Sequence, residues 1–129
     1  MEMRIALDAN RYSDYCRGDE VVVDAIQSAS EVHLPFVVIA EMRSGFLGGT
    51  LAKQNEARFL SFLRSPRVHA LFADERTTHT YADLVVFLRK VGRPIPINDL
   101  WIAALAIQHD LTLFTRDKHF ENIPRLARM

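Results

Sequence analysis

Short apolar segments alternate with segments of helical period along this chain, and that alternation constrains its fold more than any other feature. Strands are predicted at residues 3–7, 32–34, 68–72 and 111–115, where apolar side chains cluster. Helices are predicted at residues 10–16, 21–29, from 36 to about 45, 51–64, 77–91, and from 98 or 99 to about 109. Strands that alternate with helices form a central, mostly parallel sheet, here of about four to five strands, with helices on both faces.

The length and composition predict one domain spanning residues 1–129. The chain is 49% hydrophobic and 25% charged, as is usual for a globular protein with its own core. Cys16 is the single cysteine, so no internal disulfide can form and a reducing cytoplasm is the expected location. The longest apolar runs, residues 34–40 and 100–107, are too short to span a bilayer. Because no signal-peptide pattern opens the chain, we expect no membrane association.

Four acids are expected to share one pocket. Asp8 comes directly after the first predicted strand and Asp117 just after the last. Functional residues of a parallel sheet gather at the carboxyl ends of its strands, so both should lie on the same rim. Glu41 follows the apolar run 37–40, and Asp99 opens the apolar helix that ends near residue 109. These two carboxylates are therefore expected to point inward.

Each acid also has a structural interpretation. Asp8 could cap the next helix, and Asp117 could be an ordinary loop acid. Asp99 could interact favourably with the dipole of its own helix from the first turn. Glu41 is harder to explain in this way, because an unpaired buried carboxylate is costly. It needs a partner such as Arg43, another polar group or a metal ion.

A divalent cation would relieve the repulsion within such a pocket. Two carboxylates about 4 Å apart repel by roughly 4 kcal/mol at an effective dielectric constant of about 20. Ligation by oxygen atoms alone favours Mg²⁺ or Mn²⁺ over zinc. The histidines show no i,i+4 pairing and no cysteine partner, so a zinc site is not expected.

When the four pocket acids are left out of the charge count, the remaining charges favour a polyanionic substrate. The chain has 16 basic and 16 acidic residues, so sequestering the four pocket acids leaves the rest of the surface net positive. Arginine supplies 13 of the 16 basic residues. A guanidinium group can bind phosphate through two hydrogen bonds, which suits a polyanion.

Four short motifs, each containing one of these acids, follow one another along the chain. They are residues 7–10 (Leu-Asp-Ala-Asn), residues 41–45 (Glu-Met-Arg-Ser-Gly), residues 97–104 and residues 113–120. In this order and spacing they resemble the motifs of PIN-domain ribonucleases, and most of all those of the VapC toxins of toxin–antitoxin pairs. The first is similar to that family's D-x-N start and the second to its E-L-x-x-G motif, and the resemblance covers essentially the whole chain.

This resemblance implies a PIN-like fold and a metal-dependent endoribonuclease that hydrolyses RNA phosphodiester bonds. Mg²⁺ is the implied cofactor, with Mn²⁺ as a substitute, and a cognate antitoxin is the implied partner. The implied acidic site, with Asp8 and Asp99 as direct metal ligands, consists of Asp8, Glu41, Asp99 and Asp117. Substrate contacts, or support of these acids, are expected from Asn10, Thr115, Arg116 and Lys118.

The helix predicted at residues 51–64 suggests a homodimer with a groove for the antitoxin. It carries the apolar cluster Phe59, Leu60, Phe62 and Leu63. Completion of the core by the same side chains is the open alternative.

The chain departs from the family pattern at Ala9, where a hydroxyl residue is frequent, and in its short tail after residue 122, which implies an abbreviated final strand.

Three other functions stay open on the sequence alone. A response-regulator receiver has a similar length and an acidic pocket, but it needs an acidic pair after the first strand, where Ala9 follows Asp8 here. A haloacid-dehalogenase-like phosphatase needs D-x-D, where residues 8–10 read Asp-Ala-Asn. The third is a catalytically silent PIN fold that only binds a partner, and the presence of all four acids argues against it.

Overall fold

Four parallel strands form the central sheet. The computed structural model describes residues 2–129, with strands β1 (Arg4–Leu7), β2 (Glu31–Pro35), β3 (Val68–Leu71) and β4 (Thr112–Phe114). They lie in the order β3-β2-β1-β4, and every neighbouring pair is parallel. Leu7 at the end of β1 lies opposite Phe114 at the end of β4. The carboxyl ends of the first and last strands therefore meet on one rim of the sheet.

Six helices flank the sheet, and the predicted α/β class with a PIN-like arrangement is confirmed. They are α1 (Ala9–Cys16), α2 (Glu20–Ser28), α3 (Phe36–Leu47), α4 (Ala52–Leu63), α5 (Glu75–Lys90) and α6 (Ile97–Gln108). A 3-10 helix that the sequence analysis does not predict follows at Lys118–Asn122. The predicted boundaries of the strands and helices differ from the observed ones by about one or two residues, as is normal for frayed ends.

Helix caps and prolines explain where these helices begin. Asp8, Asp19 and Asp74 each accept a backbone N–H bond at the start of α1, α2 and α5, respectively. Helices α3 and α6 begin instead directly after Pro35 and Pro96, whose backbone is extended. Proline cannot donate a backbone hydrogen bond and disfavours helix in the residue before it, so each marks a sharp start.

Strand β1 and the apolar helix α6 are the most completely buried elements of the core. Residues 5–7 are fully buried, and α6 buries Leu100 and residues 102–106. This burial is expected of a helix that is apolar on nearly all sides. Trp101, which lies in the same apolar helix, is only partly buried, and it stacks on Tyr81 with ring centroids 4.2 Å apart.

The C-terminal tail adds one short contact to the sheet. Arg128 forms an isolated parallel bridge to Leu113, as expected of an abbreviated final strand. Within residues 2–129, no helix combines the length and the hydropathy needed to cross a membrane.

Candidate active site

The four predicted acids surround one small cavity at the carboxyl ends of β1 and β4. Asp8 follows β1 directly, and Asp117 lies shortly after β4. Asp99 stands in the first turn of α6, and Glu41 lies in the middle of α3. The cavity has a volume of about 80 Å³ and is lined by Asp8, Ala9, Asn10, Glu41, Asp99, Ile102 and Asp117. The fold therefore brings all four acids together.

Asp8 is buried, and both of its carboxylate oxygens are held. The Thr115 hydroxyl donates to Oδ2, and the backbone N–H of Arg11 donates to Oδ1 at 2.9 Å. Burial raises the pKa of Asp8, although these two hydrogen bonds oppose the rise. Thr115 Oγ1 also accepts the backbone N–H of Asp117 at 3.0 Å. One hydroxyl group thus fixes the positions of two acids, and Asp8 is a helix cap as well as a member of the cluster.

His119 joins Asp99 and Asp117 on one side of the cavity. Its Nδ1 atom lies 2.9 Å from Asp99 Oδ2 and 3.1 Å from Asp117 Oδ1. These three residues offer ligand atoms that all lie within 4.8 Å of one another, a spacing that a metal ion could bridge. Burial raises the pKa of Asp99, and the neighbouring charge of Asp117 adds to that rise, whereas the His119 contact opposes it.

His119 is the site residue that sequence reasoning misses. The sequence gives it no role, because no second histidine stands four residues away and no cysteine is near. Its position depends on the 3-10 helix, in which the Asp117 side chain accepts the His119 backbone N–H at 2.9 Å. The available signal is its place two residues after Asp117, at the start of that turn.

Glu41 lines the cavity, but the expectation that it is buried is wrong, and of its possible partners Arg43 is engaged elsewhere. The Glu41 side chain is exposed to solvent although it lines the cavity. Arg43 binds Glu56 of α4 instead, with Nη2 3.1 Å from Oε2. Partial burial, followed by the charges of Asp99 and Asp8, raises the pKa of Glu41, and the Asn98 side chain opposes that rise.

The other predicted site residues occupy different positions around the acids. Asn10 lines the cavity and is exposed, and Lys118 is exposed at the start of the 3-10 helix. Thr115 is buried against Asp8. Arg116 points toward Asp14 of α1, with its Nε 3.1 Å from Asp14 Oδ2.

This donor set fits a divalent cation. Carboxylate oxygens are the ligands that Mg²⁺ and Mn²⁺ prefer. The pKa values of Asp8, Glu41 and Asp99 are all raised, first by burial and then by neighbouring acids. Such shifts mark negative charge that the surrounding protein groups leave uncompensated. His119 adds a nitrogen donor to the all-oxygen set expected from the sequence, and transition metals favour that donor more than Mg²⁺ does.

A parallel α/β sheet with carboxylates gathered at this rim is the arrangement of a known family. The chain matches the family described as PIN domain over residues 5–126, which include all four acids, and it belongs to that family. PIN-domain nucleases are metal-dependent.

Within that family, the chain is similar to VapC ribonucleases. Ribonuclease VapC4 of Mycobacterium tuberculosis is 32% identical over 88 residues, which are 68% of each chain. Ribonuclease VapC1 of Haemophilus influenzae strain R2866 is 31% identical over 127 residues, 98% of this chain and 85% of that protein. The solved structure of VapBC-1 from nontypeable Haemophilus influenzae matches with a TM-score of 0.87 at 25% identity, covering 98% of this chain and 97% of that one. The resemblance seen in the sequence is thereby confirmed, and the receiver and phosphatase alternatives lose their support.

Proposed function

We propose that this protein is a metal-dependent endoribonuclease and the toxin component of a toxin–antitoxin pair. The observation that carries the proposal is the cavity in which Asp8, Glu41, Asp99 and Asp117 converge at the carboxyl rim of a PIN-domain sheet. The relatives named as ribonucleases support RNA as the substrate. The net positive surface outside the cavity favours the same polyanionic class.

The four acids would hold Mg²⁺, with Mn²⁺ as a substitute. Asp8 and Asp99 are the proposed direct ligands, and Glu41 or Asp117 would act partly through bound water. Asp8 suits this role because its two oxygens are already oriented by Thr115 and by the Arg11 backbone. A ligand held by such outer partners loses little freedom when an ion binds.

In the proposed hydrolysis, the bound ion and the side chains of the protein have different roles. When bound, the ion would lower the pKa of the attacking water and stabilise the charge that develops on the scissile phosphate. Asn10, exposed at the cavity wall, can donate its side-chain amide to a phosphate or sugar oxygen. Lys118 is exposed next to Asp117, and its ammonium group can interact electrostatically with the phosphates of the RNA backbone. Thr115 keeps Asp8 and Asp117 in place while substrate enters.

An apolar groove between α3 and α4 is the proposed docking site for the antitoxin. The groove has a volume of about 490 Å³ and is lined by Arg43, Phe46, Leu47, Ala52, Lys53, Glu56, Ala57 and Leu60. Leu47 is 81% exposed and Leu51 nearby is 54% exposed, which is unusual for leucine. The VapBC structures that this chain resembles are toxin–antitoxin complexes, which supports a protein partner.

The proposed homodimer draws on the same helix. Phe59 of α4 is fully buried, so for that residue the core alternative is correct. Phe62 and Leu63 pack against the core but are only partly buried, so their exposed parts could contact a second copy of the chain, whereas Leu60 also lines the groove proposed for the antitoxin. Sedimentation at micromolar concentration tests this: a clean monomer would contradict the dimer.

The experiment that tests the proposed activity is cleavage of a structured RNA by the purified protein. We expect cleavage with Mg²⁺ or Mn²⁺, no cleavage in EDTA, and no cleavage by the Asp99→Asn variant. Arg4→Ala is the matched control, because Arg4 is exposed at the amino end of β1, away from the cavity. A protein that binds its antitoxin but cleaves no RNA under any of these conditions would support the silent binding module instead.

A further inference from the structure

A buried acid outside the cavity gathers three arginine side chains. Asp14 of α1 is 7% exposed, and its carboxylate contacts the guanidinium groups of Arg11, Arg17 and Arg116. Arg17 Nη2 lies 2.6 Å from Oδ1, and Arg116 reaches both oxygens, with Nε at 3.1 Å from Oδ2 and Nη2 at 3.3 Å from Oδ1. Arg11 Nη1 lies 3.4 Å from Oδ2. We refer to Asp14 and these three arginines as the arginine cluster.

Two members of the arginine cluster, Arg11 and Arg116, are directly connected to residues of the acidic cavity. Arg116 stands in the chain between Thr115, which binds Asp8, and Asp117, which lines the cavity. The backbone of Arg11 donates to Asp8, and its guanidinium carbon lies 4.4 Å from the ring centroid of Phe114, the last residue of β4. A nucleic-acid strand with one phosphate in the cavity would therefore pass close to the cluster.

The cluster carries a surplus of positive charge that faces solvent. One carboxylate cannot neutralise three guanidinium groups, and each guanidinium has five N–H donors. The Arg17 and Arg116 side chains are 66% and 53% exposed, whereas Arg11 is 18% exposed and serves as packing. Donors of Arg17 and Arg116 that Asp14 does not occupy remain free to bind an anion such as a backbone phosphate.

We propose that Asp14 is a positioning residue that holds Arg116, with Arg17, as a phosphate clamp for the RNA strand beside the acidic cavity. The inference rests on the proposed ribonuclease function and names the chain's own groups that draw the substrate in. A strand of phosphates is repelled by four clustered carboxylates, so a cationic group fixed next to them offsets that repulsion. Because Asp14 already restrains the long Arg116 side chain, less side-chain freedom is lost when phosphate binds.

A purely structural role for Asp14 makes a different prediction. If these ion pairs only stabilise α1 and, through Arg116, join it to the segment after β4, then loss of Asp14 lowers the melting temperature and leaves RNA affinity unchanged. If Asp14 positions the clamp, loss of Asp14 and loss of Arg116 weaken the same RNA contact, so their effects on affinity do not add.

The test measures binding of a fluorescent single-stranded RNA by anisotropy, without Mg²⁺, in an Asp99→Asn background that keeps the RNA intact. The variants are Asp14→Asn, Arg116→Ala, their combination and Arg116→Lys, with Arg4→Ala as the matched surface-arginine control. We expect about tenfold weaker binding for Asp14→Asn and Arg116→Ala, and no further loss in the combined variant. The slope of log affinity against log salt should become shallower by about 0.7, because the variants bind one phosphate fewer.

Arg116→Lys keeps the positive charge but cannot form the two hydrogen bonds by which the guanidinium group binds both Asp14 oxygens. Its affinity for RNA should therefore fall as it does in Arg116→Ala. Because Arg116 is exposed, its variants test the clamp even if Asp14→Asn unfolds. Unchanged affinity in Arg116→Ala, full affinity in Arg116→Lys, or a lower melting temperature of Asp14→Asn with normal RNA binding would each overturn the inference. Cleavage by the unmodified protein is measured separately, so RNA that binds through the clamp but is never cut would count against the proposed function alone.

Discussion

The Thr115 hydroxyl donates a hydrogen bond to the Asp8 carboxylate across the carboxyl ends of the neighbouring strands β4 and β1. The same oxygen accepts the backbone N–H of Asp117. Thr115, which follows β4, thus orients Asp8, which follows β1. The contact is possible because the two strands pair with Leu7 opposite Phe114. The geometry of the acidic cavity depends on this sheet pairing as much as on the acids themselves.

Replacing Thr115 by valine should reduce RNA cleavage while leaving the fold intact. Valine keeps the shape but removes the hydroxyl, so Asp8 loses a hydrogen bond that holds its orientation and lowers its pKa. Loss of such an outer partner typically costs about 10- to 100-fold in metal affinity or activity. Cleavage rates across a Mg²⁺ titration measure the effect, and Thr115→Ser should restore most of the activity. Wild-type rates in Thr115→Val would contradict this role.

The metal-free protein should become more stable when one cavity acid is neutralised. Asp99→Asn removes a charge that repels Asp117 and Asp8, and we expect a gain of about 1 kcal/mol in the free energy of unfolding after solvent screening. Mg²⁺ should then stabilise the parent protein and affect the variant much less, because only the folded acidic site binds the ion. Thermal melts of both proteins with and without Mg²⁺ measure this. If Asp99 is only a first-turn helix acid, the substitution will be neutral or destabilising and Mg²⁺ will have no effect.

The stability difference between these two proteins should depend on pH. Raised pKa values for Asp8, Glu41 and Asp99 mean that the folded protein binds protons at a pH where the unfolded chain does not. The cost of keeping these groups charged, which comes first from burial and then from repulsion between the acids, is full above the raised pKa values and fades as the pH falls through them toward the unfolded values near about 4. The advantage of Asp99→Asn should therefore be largest at neutral pH and shrink on acidification.

The comparison with Asp99→Asn isolates the cavity from the rest of the protein. Asp14, whose pKa is lowered first by its bond to Arg116, loses stabilising interactions as the pH falls, and it does so in both proteins. Urea titrations at a series of pH values measure the difference. A gap that stays constant from neutral to acidic pH would argue that the Asp99 charge is not coupled to the other acids.

Leu47→Asp should weaken antitoxin binding without affecting nuclease activity. Leu47 is 81% exposed in the groove between α3 and α4, so the substitution removes apolar contact and puts a charge into an apolar site. Affinity for the cognate antitoxin should fall by about tenfold or more. Val21→Asp on α2 is the matched control, since Val21 is 71% exposed outside that groove. Equal antitoxin affinity of the two variants, measured by calorimetry, would place the partner elsewhere.

The sequence was sufficient to predict which strand ends form the rim of the sheet and that the four acids lie near one another there. Asp8 and Asp117 could be placed together because parallel strands end on the same side, whatever the details of packing. Asp99 could be placed because Pro96 marks the start of a helix that is apolar on nearly all sides. These features depend on chain order and local periodicity, both of which can be read directly.

Contacts between distant side chains could not be predicted in the same way. Glu41 follows an apolar run, yet it is exposed, because the packing of α3 against the rest of the fold decides which of its residues are buried. His119 meets Asp99 only after a 3-10 turn forms. Asp14 meets Arg116 across 102 residues of chain, a pairing for which the sequence carries no periodic signal.

The most direct test of the proposed metal site is the rate of RNA cleavage by the wild-type protein and by Asp8→Asn across a Mg²⁺ titration. Asp8 is the acid held most firmly in the cavity, and asparagine keeps its size while removing its charge. The proposed metal site predicts cleavage that rises with Mg²⁺, stops in EDTA, and falls by at least about 100-fold in Asp8→Asn. Full activity of Asp8→Asn, or wild-type cleavage that persists in EDTA, would contradict it.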